Sequence, residues 1–261
     1  MIILLIKEPE ILQKMPAINF ENIWKSFKHG LRRRTVLHGI SLAIERGEIF
    51  GFLGPNGAGK STAIKLLLNF IRPDKGSISV EGLNVGEDRF QDYVGYLPET
   101  PCFYDNLTAL ETVNFAGRAS GMSGREIRDK APYVLRKLDL EHAVSWHVKI
   151  FSKGMKQRLG LALALLHDPQ IYILDEPMSG LDPLGRRLIT DVILELRDRE
   201  KTVFFSSHIL SDVERLCDRI GILDKGHLLF SGGIAEITPN GSSLEDAFMR
   251  LIEQHNRGEH V

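Results

Sequence analysis

The chain has 261 residues, 43% of them hydrophobic, which suits one large domain or one domain with a small appendage. Thirty-three basic residues against 34 acidic ones leave a net charge of −1, so the electrostatic footprint of a nucleic-acid binder is missing. No stretch of about 18 apolar residues reads as a membrane span, and Cys102 and Cys217, far apart and outside any ligand spacing, read as two reduced thiols.

At the start, Met1 to Ile6 is apolar but shorter than a signal-peptide core, and no basic region precedes it. The folded domain is expected to begin near Met15, leaving 1–15 as an extension, with 16–232 as the main domain and 233–261 as a helical tail. Lys28 and Arg32-Arg33-Arg34 form a basic turn, read as a solvated face, with a phosphate or lipid-headgroup contact as the alternative. Glu48-Ile49-Phe50-Gly51-Phe52-Leu53 reads as a strand running into a glycine-rich turn. Ile64, Leu67, Leu68 and Ile71 recur with helical spacing and predict a helix that runs to Arg72-Pro73. Ser77-Ile78-Ser79-Val80 alternates as an edge strand does. Strand character then fades, and about 99–167 reads as a helical insert, with Leu159, Ala162, Leu163 and Leu166 on one helix face. Strand patterns return at 171–174, 202–205 and 220–223. Wholly apolar strands such as Ile171-Tyr172-Ile173-Leu174 suit a parallel sheet covered on both sides. The fold class expected is α/β.

Gly54-Pro55-Asn56-Gly57-Ala58-Gly59-Lys60-Ser61, with Thr62 behind it, matches the phosphate-cradling pattern of two glycines, a lysine and a hydroxyl. A strand precedes it and a helix follows, as the chemistry requires. Glycines let successive N–H groups curl inward toward phosphate oxygens, and the helix N-terminus adds its positive end. Lys60 suits the β- and γ-phosphates and the Ser61 hydroxyl suits Mg²⁺. This P-loop alone leaves kinases, GTPases and ATPases open, although the guanine-specific Asn/Thr-Lys-x-Asp tetrapeptide is absent.

Asp175 and Glu176 follow the apolar strand at 171–174. Ligands of open α/β sheets gather at the carboxyl ends of strands, which points both acids at the phosphates. Asp175 suits Mg²⁺ and Glu176 suits the polarisation of an attacking water.

From about 18 to 231 these residues make the chain resemble the nucleotide-binding domain of the ABC transporter family. Gly54 to Thr62 corresponds to Walker A, Ile171 to Asp175 to Walker B, and Glu176 to the catalytic glutamate. Ser179-Gly180-Leu181-Asp182 corresponds to the D-loop and His208 to the switch histidine. Phe151-Ser152-Lys153-Gly154-Met155 occupies the place of the family signature. The resemblance implies a P-loop NTPase core, a mostly parallel sheet flanked by helices, with an antiparallel β subdomain and a helical insert. It implies ATP and Mg²⁺ as ligands and a head-to-tail dimer with a second copy or a paralogous ATPase subunit. In such a dimer Ser152 and Gly154 of one copy face the γ-phosphate held by the other, with Asp182 nearby. It also implies an integral membrane permease as partner, and a peripheral place on the cytoplasmic face of the membrane. Phe27 falls where the family has an aromatic that stacks on adenine; on periodicity alone it reads more readily as core. Pro101 to Leu107 falls where the family receives a short helix from the permease, with local core packing as the equal alternative.

Two departures stand out. Lys153 and Met155 replace a glycine and a glutamine of the usual signature, and Glu99 replaces the glutamine that follows Tyr96-Leu97-Pro98. Both resemble the ABC-2 exporter branch, as does Ser243-Leu244-Glu245-Asp246-Ala247-Phe248 in the tail. Glu99 can still ligate Mg²⁺ but adds negative charge. The competing reading is a soluble ABC-type ATPase acting on ribosomes or DNA. A single nucleotide-binding unit with no long coiled coil between Lys60 and Ser152 argues against it.

Overall fold

A computed structural model describes residues 15–30, 32–87 and 89–258. The expected extension before Met15 therefore lies outside the described residues.

Two sheets organise the fold. The smaller is antiparallel, in the order β2-β1-β4-β5, from β1 (Ile18–His29), β2 (Arg32–Ile44), β4 (Lys75–Val80) and β5 (Leu83–Asn84). The larger has the order β10-β9-β3-β8-β7-β6, from β3 (Ile49–Leu53), β6 (Val94–Leu97), β7 (Ile171–Asp175), β8 (Thr202–Ser207), β9 (Arg219–Asp224) and β10 (His227–Gly233). All its pairings are parallel except that of β10, an antiparallel edge.

Every residue of β3, β7 and β8 is buried, because both faces of the larger sheet are covered. Strand alternation sends Phe50, Phe52, Ile171, Ile173 and Phe204 into a core shared with the antiparallel sheet and α1 (Lys60–Leu67). Their neighbours Ile49, Leu53, Tyr172, Leu174, Val203 and Phe205 enter a second core under the remaining helices. Fully burying a side chain of this size contributes roughly 1.5–3 kcal/mol, so this alternation pins the register of the strands that carry the site.

The helical insert consists of α2 (Ala109–Ala119), α3 (Gly124–Lys137) and α4 (Lys153–Leu166). Thr108 with Glu111 and Ser123 with Glu126 form capping boxes on α2 and α3, while Ser152 caps α4. α4 is enclosed rather than one-faced: Leu161, Ala164 and Leu165 are buried along with Leu159, Ala162 and Leu166. α5 (Pro183–Asp198), α6 (Leu210–Leu216), α7 (Ile234–Ile237) and α8 (Leu244–Gly258) complete the chain, with β10 running one residue past the expected tail boundary.

Two expectations are corrected. α1 ends at Leu67, not near Arg72, because Asn69 adopts φ 56° and closes the helix. The Phe70 N–H bonds the Lys65 carbonyl and the Asn69 N–H bonds that of Leu66, the double closure typical of an Asn or Gly stop. The strand at 77–80 is not an edge, since β4 pairs with β1 on one side and with the two-residue β5 on the other.

Candidate functional site

The glycine-rich turn links β3 to α1 at the carboxyl end of the parallel sheet. Gly59, at φ 113°, opens α1, and a Cβ there would lie 2.7 Å from Leu37 Cδ2. A Cβ on Gly54 would collide with the Leu223 carbonyl oxygen. These two positions admit only glycine because neighbouring strands close in behind the turn.

Lys60, 7% exposed, donates from Nζ to the Gly54 carbonyl at 2.6 Å and lies 4.0 Å from Glu176 Oε1. Burial pulls its pKa down, while Glu176, Asp175 and Glu99 push it back up. β7 delivers Asp175 and Glu176 beside it. Asp175 is held above the ordinary aspartate range, chiefly by burial and further by Glu99 and Glu176, against a hydrogen bond from Ser206. Opposed acids around a single lysine leave the pocket rich in hard oxygen donors, the setting that favours a divalent cation.

Glu176 has φ 49°, unusual for a residue with a Cβ and worth about 1–3 kcal/mol of strain. Three neighbours hold it there. Its N–H donates to Ser206 Oγ at 3.0 Å. Gln157, 1% exposed, donates from Nε2 to the carbonyls of Glu176 and Pro177 at 3.5 and 3.4 Å. His208 Nδ1 lies 2.8 Å from Glu176 Oε2, with the imidazole itself half in solvent. Ser206 and Gln157 escaped the sequence analysis. Ser206 carries a faint signal as a hydroxyl inside an apolar strand two residues before His208; Gln157 carries none beyond its place next to the signature.

Arg34 and Val36 of β2, residues 55–62, Glu99, Asp175, Glu176 and His208 line one cavity of about 390 Å³. Most of the predicted nucleotide and metal residues, Ser61 and Thr62 included, are thus brought together. Glu99 is exposed just beyond β6; burial, with Asp175 and then Glu99 adding to it, raises the Tyr96 pKa to about 12. Phe27 lies outside this lining, 41% exposed, directly across the strand pair from Arg34 and under the Lys25 ammonium at 5.5 Å. Arg34, first read as part of a solvated turn, is the member of that turn that reaches the cavity. Arg33 instead bonds Asp74.

Ser152 and Gly154 lie apart from this cavity. The Ser152 oxygen accepts the Met155 N–H at 3.2 Å, so its own O–H remains available to donate. Lys153 lies across Gly180, whose added Cβ would come within 2.6 Å of Lys153 Cε. Met155 packs against the second core, an apolar use of a place where the family has glutamine. Asp182 caps α5, its Oδ1 accepting the Gly185 N–H at 2.7 Å. A separate groove of about 380 Å³ includes Tyr96, Phe103, Tyr104, Leu107 and Phe115. Tyr104 and Phe115 meet edge to face at 5.7 Å, with both rings more than half exposed. Among the described residues no helix is long and apolar enough to cross a membrane.

The profile of the ABC transporter family matches residues 37–179. An ABC transporter ATP-binding protein of Synechocystis is 47% identical over 208 residues, 79% of this chain and 59% of that protein. The linearmycin resistance ATP-binding protein of Bacillus subtilis is 37% identical over 214 residues, 81% of this chain and 68% of that protein. The bacitracin transport ATP-binding protein of Bacillus licheniformis is 42% identical over 193 residues, 73% of this chain and 62% of that protein. This chain thus spans about three fifths of the length of the Synechocystis and B. licheniformis relatives. Among solved structures, an ATP-binding subunit of an ABC transporter superposes with a TM-score of 0.83 at 33% identity, covering 90% of this chain and 99% of that one. A dimeric ATP-binding cassette in a post-hydrolysis state, bound to ADP and Pi, gives 0.78 at 26% identity over 83% of this chain and 98% of that one.

Proposed function

The chain belongs to the ABC transporter family, and on that premise we propose that it binds and hydrolyses ATP to drive a separate membrane permease. The observation that carries this reading is the cavity where Lys60, Asp175, Glu176 and His208 converge on the glycine-rich turn. Backbone amides of residues 56–61 and the Lys60 ammonium hold the phosphates. Glu176 accepts a proton from the attacking water, and its partner His208 fixes where that carboxylate points.

Ser61, Asp175 and Glu99 are the residues for Mg²⁺. They offer one hydroxyl and two carboxylates, and no group of three His, Cys, Asp or Glu among the described residues is placed to cage a metal by itself. That fits an ion which takes one or two carboxylates and completes its shell with phosphate and water. When bound, Mg²⁺ neutralises charge on the β- and γ-phosphates.

Ser152 and Gly154, at the start of α4 and away from their own chain's cavity, suit closure on the nucleotide of a second copy or a paralogous subunit. Asp182 stands at the same face. The aromatic groove at Tyr104 and Phe115 suits the permease, which places the chain at the cytoplasmic face of the membrane. Phe27 stacks on adenine from the strand beside Arg34. Export is favoured by the relatives named for linearmycin resistance and bacitracin transport.

The test is Glu176→Gln. Turnover is expected to fall about 10²–10⁴-fold, while MgATP binding persists and a dimer accumulates together with a copurifying integral membrane protein. Unchanged turnover overturns the assignment of Glu176. Recovery with ribosomes or DNA, and with no membrane protein, favours the soluble alternative.

A further inference from the structure

The end of β9 is the back wall of the nucleotide cradle. Leu223 presses its carbonyl against Gly54, and the Gly226 N–H donates to the Ala58 carbonyl at 2.8 Å. Lys225 and Gly226, with φ 44° and 81°, make a two-residue turn in which Asp224 faces His227. On its other side the Gly226 carbonyl accepts the His38 N–H at 2.9 Å. One tight turn therefore holds both the P-loop and β2.

α8 reaches that turn from outside the sheet. Leu244, Phe248, Leu251 and Ile252 pack on the second core with helical spacing, Ala247 is buried beside them, and His255 continues the stripe by one more turn. His255 Nδ1 donates to Asp224 Oδ2 at 2.9 Å, and Asp224 is only 4% exposed. The His227 ring lies 5.4 Å from that of His255 and stacks on His38 at 4.4 Å. Imidazoles from β2, β10 and α8 so enclose the turn, without forming a metal centre among the described residues.

We propose that α8 clamps the nucleotide cradle and that His255 is its positioning residue, an inference that rests on the ATP-binding reading above. A buried carboxylate at a strand end depends on its partner. Without His255, Asp224 must turn toward water, and the turn that holds Ala58 moves with it. The cradle binds phosphate through preorganised amides, so the loss falls on nucleotide affinity rather than on the chemical step. Displacement of α8 by a partner thereby becomes a way to release nucleotide.

The experiment compares the full chain with His255→Ala, His255→Asn and Leu251→Ala, using MgATP as the probe. His255→Ala is expected to raise the Kd and KM for MgATP about fivefold or more, the usual lower end of coupling between sites, with kcat little changed. Hydrogen exchange at the amides of residues 57–61 should quicken. His255→Asn, which can still donate to Asp224, should recover most of the affinity. Leu251→Ala, which loosens α8 on the core but keeps the His255 imidazole, should lower thermal stability and raise KM less than His255→Ala does. Wild-type KM and exchange in His255→Ala overturn the clamp. So does an equal rise of KM in Leu251→Ala, or failure of His255→Asn to recover. Failure of the wild-type chain to bind MgATP overturns the ATP-binding reading instead.

Discussion

Ser206 and Asp175, 31 residues apart in the chain, are joined by a 2.5 Å hydrogen bond at the carboxyl ends of paired strands. The same Ser206 oxygen accepts the Glu176 N–H at 3.0 Å, so one hydroxyl sets both acids. Ser206→Ala leaves a buried N–H without its partner, a cost of about 1–3 kcal/mol, and removes the bond that holds the Asp175 pKa down. The expected result is a lower thermal midpoint and an ATPase rate reduced about tenfold, in the range of a lost positioning contact. Rates measured across pH should show the acidic limb moving to higher pH, because Asp175 then keeps its proton longer.

Glu99 makes a second case for charge in the same cavity. Its carboxylate raises the pKa of Lys60 and adds to that of Asp175. Glu99→Gln removes one negative charge and leaves a neutral amide oxygen, a weaker donor to Mg²⁺, in its place. The Mg²⁺ concentration giving half-maximal ATPase is expected to rise several-fold, roughly the effect of weakening one charged ligand by about 1 kcal/mol. Identical Mg²⁺ titrations would remove Glu99 from the metal site.

Residues 54–61 and the acids at 175–176 were legible because each is a local pattern: a strand, then the chemistry, then a helix or turn. The parallel core was legible for the same reason, since 171–174 and 202–205 are apolar throughout. What escaped depends on pairing across long separations. Ser206 gains its role only when β8 lies beside β7, and Gln157 only when α4 packs under Pro177. Arg34 reads like the other arginines of its turn, and only the place of β2 beside the cradle sets it apart. The apolar period around Asn69 hides the stop, although an Asn able to take positive φ is a recognised helix end.

Arg34 and Arg33 are adjacent in sequence but differ in surroundings. Arg34 borders the nucleotide cavity, whereas Arg33 makes an exposed pair with Asp74 at 3.4 Å. A guanidinium at the rim of a phosphate site suits direct charge-assisted contact. Arg34→Ala should weaken MgATP binding about tenfold, as expected for one such hydrogen bond of roughly 1.5 kcal/mol, and should reduce its salt dependence. Arg33→Ala should change binding and stability little, since exposed pairs contribute about 0–1 kcal/mol. Isothermal titration at two salt concentrations separates the two.

The helical insert should respond to acid. Glu111 is held below the ordinary glutamate range by the backbone and hydroxyl of Thr108, and Glu126 likewise by the hydroxyl and backbone of Ser123. A depressed carboxylate contributes stability above its unfolded pKa and loses it as pH falls through the folded one. The first turns of α2 and α3 are therefore expected to fray below the usual glutamate pKa of 4.5. Amide exchange at residues 109–112 and 124–127 should quicken there, and Glu111→Gln should abolish the acid-dependent part at α2.

Gln157 ties α4 to the segment at 176–177. It is buried, and its Nε2 reaches the carbonyls of both Glu176 and Pro177. Because Glu176 sits at φ 49°, its geometry depends on such contacts. Gln157→Leu keeps the bulk but takes its donor from the Pro177 carbonyl and leaves that of Glu176 with the Ser179 N–H alone, destabilising by about 1–3 kcal/mol. Its distinctive consequence should be kinetic: kcat falls while the KM for ATP holds, because Lys60 and the glycine-rich turn are untouched. Gln157→Glu should be worse, since an ionised carboxylate cannot donate to a carbonyl and brings a buried negative charge up to the acids. Steady-state kinetics beside thermal melts decide the matter. A fall in stability with an unchanged kcat for the folded fraction would leave Gln157 a packing residue only.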